Sequence, residues 1–134
     1  MDYPLIQTLL NFAVTFGLCS VLVVLFLILY ARVTPQEELH LIRDGNAAAA
    51  LAVSGAMVGF IIALTRAVAI STSITEMLLW GLVALVVQAL GHMFLSMMLP
   101  RLSEQITANQ ISAGILTASV GLGLGLINAA AMTG

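Results

Sequence analysis

The sequence predicts an all-α integral membrane protein: one domain over residues 1–134, with four transmembrane helices in two tandem hairpins. Three observations lead there. The chain is 61% hydrophobic and only 7% charged, with a mean hydropathy of +1.14. A soluble domain is nearer half apolar and a quarter charged, and a chain this short could not hide so much apolar surface from water. Four apolar stretches each approach the roughly 20 helical residues needed to cross about 30 Å of hydrocarbon. The layout also repeats: a bulky stretch, a proline-containing loop, an Asn or Gln, then an Ala/Gly-rich stretch.

Residues 9–31 are the first span. They end LVVLFLILYA, bulky nearly all round, which suits a helix facing lipid. Tyr3 and Tyr30 fall at its two ends, at the depth aromatic rings prefer. Residues 32–45 are polar. Thr34-Pro35-Gln36-Glu37 reads as a helix start, with Thr34 capping, Pro35 at the first helical position and Glu37 closing a capping box. Leu39, Leu41 and Ile42 give this short helix an apolar side for the membrane surface, and it stops near Gly45.

Residues 46–70 are the second span. Gly45-Asn46 leads into four alanines, followed by Ser54, Gly55 and Gly59. A helix face with so little bulk lets another helix approach its backbone, which in lipid is a main source of association. A polar turn, 71–75, leads into the third span, 77–99, with Trp80 near its start. Residues 100–110 form the second polar loop. The fourth span, 111–132, is again small-rich, with Gly121, Gly123 and Gly125. A shift of 64 residues sets Ala49 on Ala113, Leu51 on Ile115 and Gly59 on Gly123. These are the two hairpins, at about 5–70 and 74–134, running parallel because each holds an even number of spans. The Ala/Gly-rich spans belong at the centre and the bulky ones outside, with glycine surface to spare for a homo-oligomer.

Charge decides orientation and excludes some partners. Arg32, Arg43 and Arg101 flank or occupy the two proline loops, and only Arg66 lies toward the other side. The positive-inside rule places these loops in the cytoplasm and both termini outside. A net charge of -2 without lysine gives no electrostatic basis for nucleic-acid binding. The single Cys19, inside an apolar run, allows no intrachain disulfide and suggests no metal, and no cofactor is indicated. Asp2 in place of a basic segment, and the length of the first apolar run, argue against a cleaved signal.

Polar residues within spans are the functional candidates. Gln88, His92 and Ser96 recur every four residues on one face of the third span, pointing into the bundle. They, with Ser54 and Asn128, suit hydrogen bonds between helices, or alternatively a polar path along the third span. Arg66, about a turn from a helix end, suits snorkelling or a pair with Glu76. Glu37, Glu38, Arg43 and Arg101 read as solvated loop charges and a candidate docking surface for a soluble partner. No span carries a central carboxylate, which argues against a proton-driven rotor proteolipid or a small multidrug exporter. No phosphate loop, HExxH or serine-nucleophile motif occurs, so no catalytic residue is named.

The run YARVTPQEELHLIRDGNAAAALAVSGAMVGF, Trp80-Gly81 with Gln88 beyond it, Leu99-Pro100 and the closing Asn128-Ala129-Ala130-Ala131-Met132 resemble the YjfL-type bacterial inner-membrane proteins. The resemblance spans nearly the whole chain. It implies a multi-pass inner-membrane location and two tandem two-helix repeats, and carries no established activity. By association it implies an envelope-maintenance role beside cytoplasmic membrane-stress proteins of the phage-shock type. The expectation is therefore a non-enzymatic, homo-oligomeric scaffold or stress partner in the lipid bilayer, with a small channel or transporter as the alternative.

Overall fold

The computed structural model describes residues 2–35 and 37–133, apart from the side chains of Asp2 and Tyr3. The expected interfacial role of Tyr3 and the place of Gln36 in a helix start lie outside the described residues. Six helices follow in order: α1 (Asp2–Val33), α2 (Glu38–Arg43), α3 (Ala47–Ile70), α4 (Ile74–Met98), α5 (Leu102–Thr107) and α6 (Ile111–Ala131). The four long helices are each long and apolar enough to cross a membrane. The bounds of α2 and α5 differ by 64 residues (38 to 102). Both short helices lie at one end of the bundle, the loop end. The α3–α4 turn, the start of α1 and the end of α6 lie at the other.

The helix ends follow local chemistry. Asn46 caps α3, its Oδ1 accepting from Ala49 N at 2.8 Å. Ser73 caps α4 by accepting from Glu76 N at 3.1 Å. The capping box expected at Thr34 does not form. Thr34 Oγ1 instead donates back to the Tyr30 carbonyl at 2.9 Å, which also accepts from Thr34 N at 3.1 Å. The short helix therefore begins at Glu38, and Glu37 precedes it with no side-chain cap.

The most extensive interface joins α3 and α6. The two helices run parallel, because contacts climb together from Ala48 with Gly114, through Gly55 with Ala118, to Gly59 with Gly125. Here the absent side chain is what matters: a Cβ on Gly59 would overlap the Gly121 carbonyl oxygen, and one on Gly125 would overlap Gly59 itself. Ala48, Ala52 and Ala56 extend this fully buried small face. Backbones in contact gain dispersion over their whole length, the attraction left when lipid removes any hydrophobic drive.

On this seam α4 packs against both α3 and α6, and α1 against α3 and α4. One stripe of α1 faces the bundle, through residues 8, 11, 15, 19, 22, 26 and 30. Its second half is bulky and packed: Leu22, Phe26 and Tyr30 join Phe60, Leu64 and Leu85 in one core cluster. Phe26 stacks on Phe60 at 4.8 Å between centroids. Tyr30, expected at the membrane surface, is 1% exposed, because its ring meets His92 edge-on at 5.0 Å. The first half of the stripe is small or polar, and there α1 stands off from α3. At 32 residues α1 measures about 48 Å, longer than the bilayer core needs.

Candidate functional site

The polar residues of the interior lie along α4. Asn128 Nδ2 donates to the Ala84 carbonyl at 3.1 Å. One turn on, Gln88 Nε2 donates to the Gly121 carbonyl at 2.8 Å. A further turn on, His92 is buried beneath Tyr30. The Tyr30 hydroxyl in turn lies beside the Glu38 carboxyl of α2. A row of buried polar groups thus runs from the middle of α4 to the loop end, its side chains contributed by α6, α4, α1 and α2. Gln88 Oε1 and His92 Nε2 have no hydrogen-bond partner along it.

The loop end is held by a second set of bonds, from two asparagines. Asn46 caps α3 with its oxygen and donates its nitrogen to the carbonyls of Ile106 (2.8 Å) and Thr107 (3.2 Å) at the end of α5. Asn109 Oδ1 accepts from Ala48 N, the second residue of α3, at 3.0 Å. Gly45 (φ 86°) and Asn109 (φ 60°) both adopt the left-handed conformation, each just past a short helix, where glycine and asparagine cost least. Sequence reading used these asparagines only as markers of the repeat. Which backbone groups they reach depends on two loops meeting across 60 residues of chain.

Several candidates sit elsewhere than expected. Glu38, taken as a solvated loop charge, is 4% exposed against Tyr30 and cannot present itself to a partner. Ser54 is exposed on the outer side of α3, beside the glycine seam but not in it. Arg66 reaches across to α6, where its Nη2 donates to the Met132 carbonyl at 3.4 Å. Glu76 instead accepts from Thr72 N at 2.9 Å. Glycines 55, 59, 121 and 125 meet within the one chain, on the α3–α6 seam. Glu37, Arg43 and Arg101 are exposed at the loop end. Beside them His40 Nε2 pairs with Asp44 Oδ2 at 3.4 Å. Ser96, on the Gln88–His92 face, is half-buried.

Four spanning helices around a glycine–alanine seam, with polar side chains turned inward onto backbone carbonyls, define a polytopic α-helical integral membrane protein. The chain belongs to the family described as Domain of Unknown Function (DUF350), which matches residues 4–132. It is 36% identical over 129 residues, covering 96% of this chain and 98% of the relative, to the UPF0719 inner membrane protein YjfL of Escherichia coli strain K12. It is 23% identical over 124 residues, 91% of this chain and 92% of the relative, to the UPF0719 transmembrane protein YshE of Bacillus subtilis strain 168. No solved structure matches the chain.

Proposed function

We propose that the protein is a non-enzymatic, homo-oligomeric scaffold of the bacterial inner membrane, whose loop end faces the cytoplasm and docks a soluble partner. The carrying observation is the split between interior and loop end. Inside, Gln88 and Asn128 are each bound to a backbone carbonyl, and the helix seam is closed by glycine. Meanwhile, seven of the ten charged residues (four Arg; six Asp and Glu) cluster at the loop end, and all of these but Glu38 are exposed. Exposed charge gathered on one face is a docking surface of mixed sign, suited to steering a partner of complementary pattern. Leu39, 73% exposed, adds an apolar group to the first loop. Association within the family suggests a membrane-stress protein as the partner.

Neutralising Glu37, Arg43, Arg101 and Glu104 together is expected to abolish co-purification of that partner from membranes while leaving insertion and folding intact. Undiminished recruitment by this variant overturns the docking reading. Mass measurement in lipid nanodiscs tests the oligomer, and a monomer would remove that part.

A second reading, a small channel or transporter, rests on the unpartnered Gln88 Oε1 and His92 Nε2 inside the bundle. It requires water beside α4. Cysteine placed at 88, 92 or 96 is then expected to react with a membrane-impermeant thiol reagent, with the native Cys19 first replaced by alanine. The scaffold reading expects silence at 88 and 92.

A further inference from the structure

We infer that the cleft between the first half of α1 and the second half of α3 is a phospholipid site. One acyl chain lies in its trough, and the glycerol-ester region hydrogen-bonds at its mouth, on the side of the α3–α4 turn. The trough has a volume of about 890 Å³ and its surface is mostly apolar, with Phe16, Ile61 and Leu64 in its walls. A pocket of about 320 Å³, half polar, adjoins it and shares Asn11, Thr15 and Val68 with it. The turn residues Ser71, Thr72 and Ser73 line that pocket. Together they have the polarity of one amphiphile: a long apolar volume continuous with a hydrogen-bonding end at the depth where the bundle meets the head groups. Sites for small ligands span roughly 300–1,000 Å³.

The stripe of α1 that faces the bundle supports this occupant over another helix. Below the cleft its residues are Leu22, Phe26 and Tyr30, packed tight. Within the cleft they are Thr8, Asn11, Thr15 and Cys19. They face Ile61, Leu64, Thr65 and Val68 of α3, where the Thr65 hydroxyl donates to its own helix at Ile62 O, and Thr8 Oγ1 is bonded to the Pro4 carbonyl at 2.9 Å. Among the described residues the Thr15 hydroxyl has no hydrogen bond, and Asn11 uses only its oxygen, accepting from Gln7 Nε2 at 3.2 Å. Spare donors lining the cleft call for an acceptor, and ester carbonyls are the acceptors that a bilayer supplies at this depth.

The second hairpin shows that the opening is a property of particular residues. A step of 64 residues carries Ser20 to Ala84 and Leu64 to Asn128. There the amide of Asn128 bonds the Ala84 carbonyl and draws α6 onto α4. In the first hairpin Leu64 cannot make that bond, and Ser20 and Leu64 both line the cleft. Gly17 is open as well: a Cβ there would meet nothing within 4 Å.

The test uses the full chain in nanodiscs containing a trace of phosphatidylethanolamine with a diazirine in one acyl chain. After photolysis, adducts are expected to concentrate on residues 11–24 and 61–68, several-fold above the lipid-facing Leu82, Val83 and Val86 of α4. Thr65→Trp, which fills the trough, is expected to remove the cleft adducts and spare those on α4. Thr15→Val, which keeps the volume and loses the donor, is expected to weaken lipid retention in native mass spectrometry without loss of fold. Equal labelling of both regions would mean bulk lipid only and would overturn the inference. So would rapid oxidative cross-linking of Cys19 to Cys19 of a second copy without cleft adducts, which would make the occupant another α1.

Discussion

Gly59→Ala is expected to destabilise the protein more than any other single methyl addition on α3. The new Cβ would enter the Gly121 carbonyl oxygen and crowd the Gln88 amide at 2.7 Å. The first of these neighbours is backbone and cannot rotate away. Relief requires α3 and α6 to separate, which undoes contact along the seam from Ala48 to Gly125 and strains the Gln88–Gly121 bond. Overpacking of a fitted core costs about 1–3 kcal/mol, and a parallel helix pair held by backbone contact lies at or above the top of that range. Gly123→Ala is the matched control. It sits two residues from Gly121 on the same helix, yet its Cβ meets nothing within 4 Å. Alanine there gains up to about 1 kcal/mol of helix propensity, so its expected effect is neutral or slightly stabilising. Reversible unfolding in mixed detergent micelles reads both. Equal midpoints for the two variants would mean that the seam is not the close contact described.

Asn46→Ala is the second large effect. It removes the cap on α3 and also the donor that holds the Ile106 and Thr107 carbonyls at the end of α5. A lost cap costs about 0.5–2 kcal/mol, and each lost bond to α5 about 0.5–1.5, the Ile106 carbonyl keeping Asn109 N as a partner at 2.9 Å, so a combined loss of roughly 2–4 kcal/mol is expected. Asn46→Ser separates the two roles. Serine still caps, but it is too short to reach α5, so it is expected to recover only the cap's share. Thermal unfolding of the three proteins in nanodiscs checks the order. If serine restored full stability, the cross-loop bonds would contribute nothing.

Much of the architecture was legible because a bilayer asks one simple question of a sequence: whether a stretch is long and apolar enough to span. Residues 46–70 and 111–132 answered it to within a residue or two. The stop of the first short helix near Gly45 was readable for the same local reason, since a glycine just past a helix readily takes the left-handed conformation that ends it. The start of α2 was misplaced because Thr34 had two local options, capping forward or bonding back to α1, and spacing does not rank them. The exposed charges Glu37, Arg43 and Arg101 were also readable, as loop charges usually are.

What the sequence determined by itself is the class of molecule: four spans, a short helix in the first polar loop, and small-residue faces that demand a close helix partner. Composition and periodicity fix these because every backbone group in hydrocarbon must be satisfied within a helix. The tertiary structure decided which partner each face takes. It brought Gly59 onto Gly121 and Gly125, buried Glu38 beneath Tyr30, and sent Arg66 to Met132. It also closed the second hairpin through Asn128 while leaving the first open beside Leu64. All of those choices but the Glu38–Tyr30 one depend on distances across 40 or more residues of chain, set by how helices with faces of different bulk settle against one another. No local pattern encodes that.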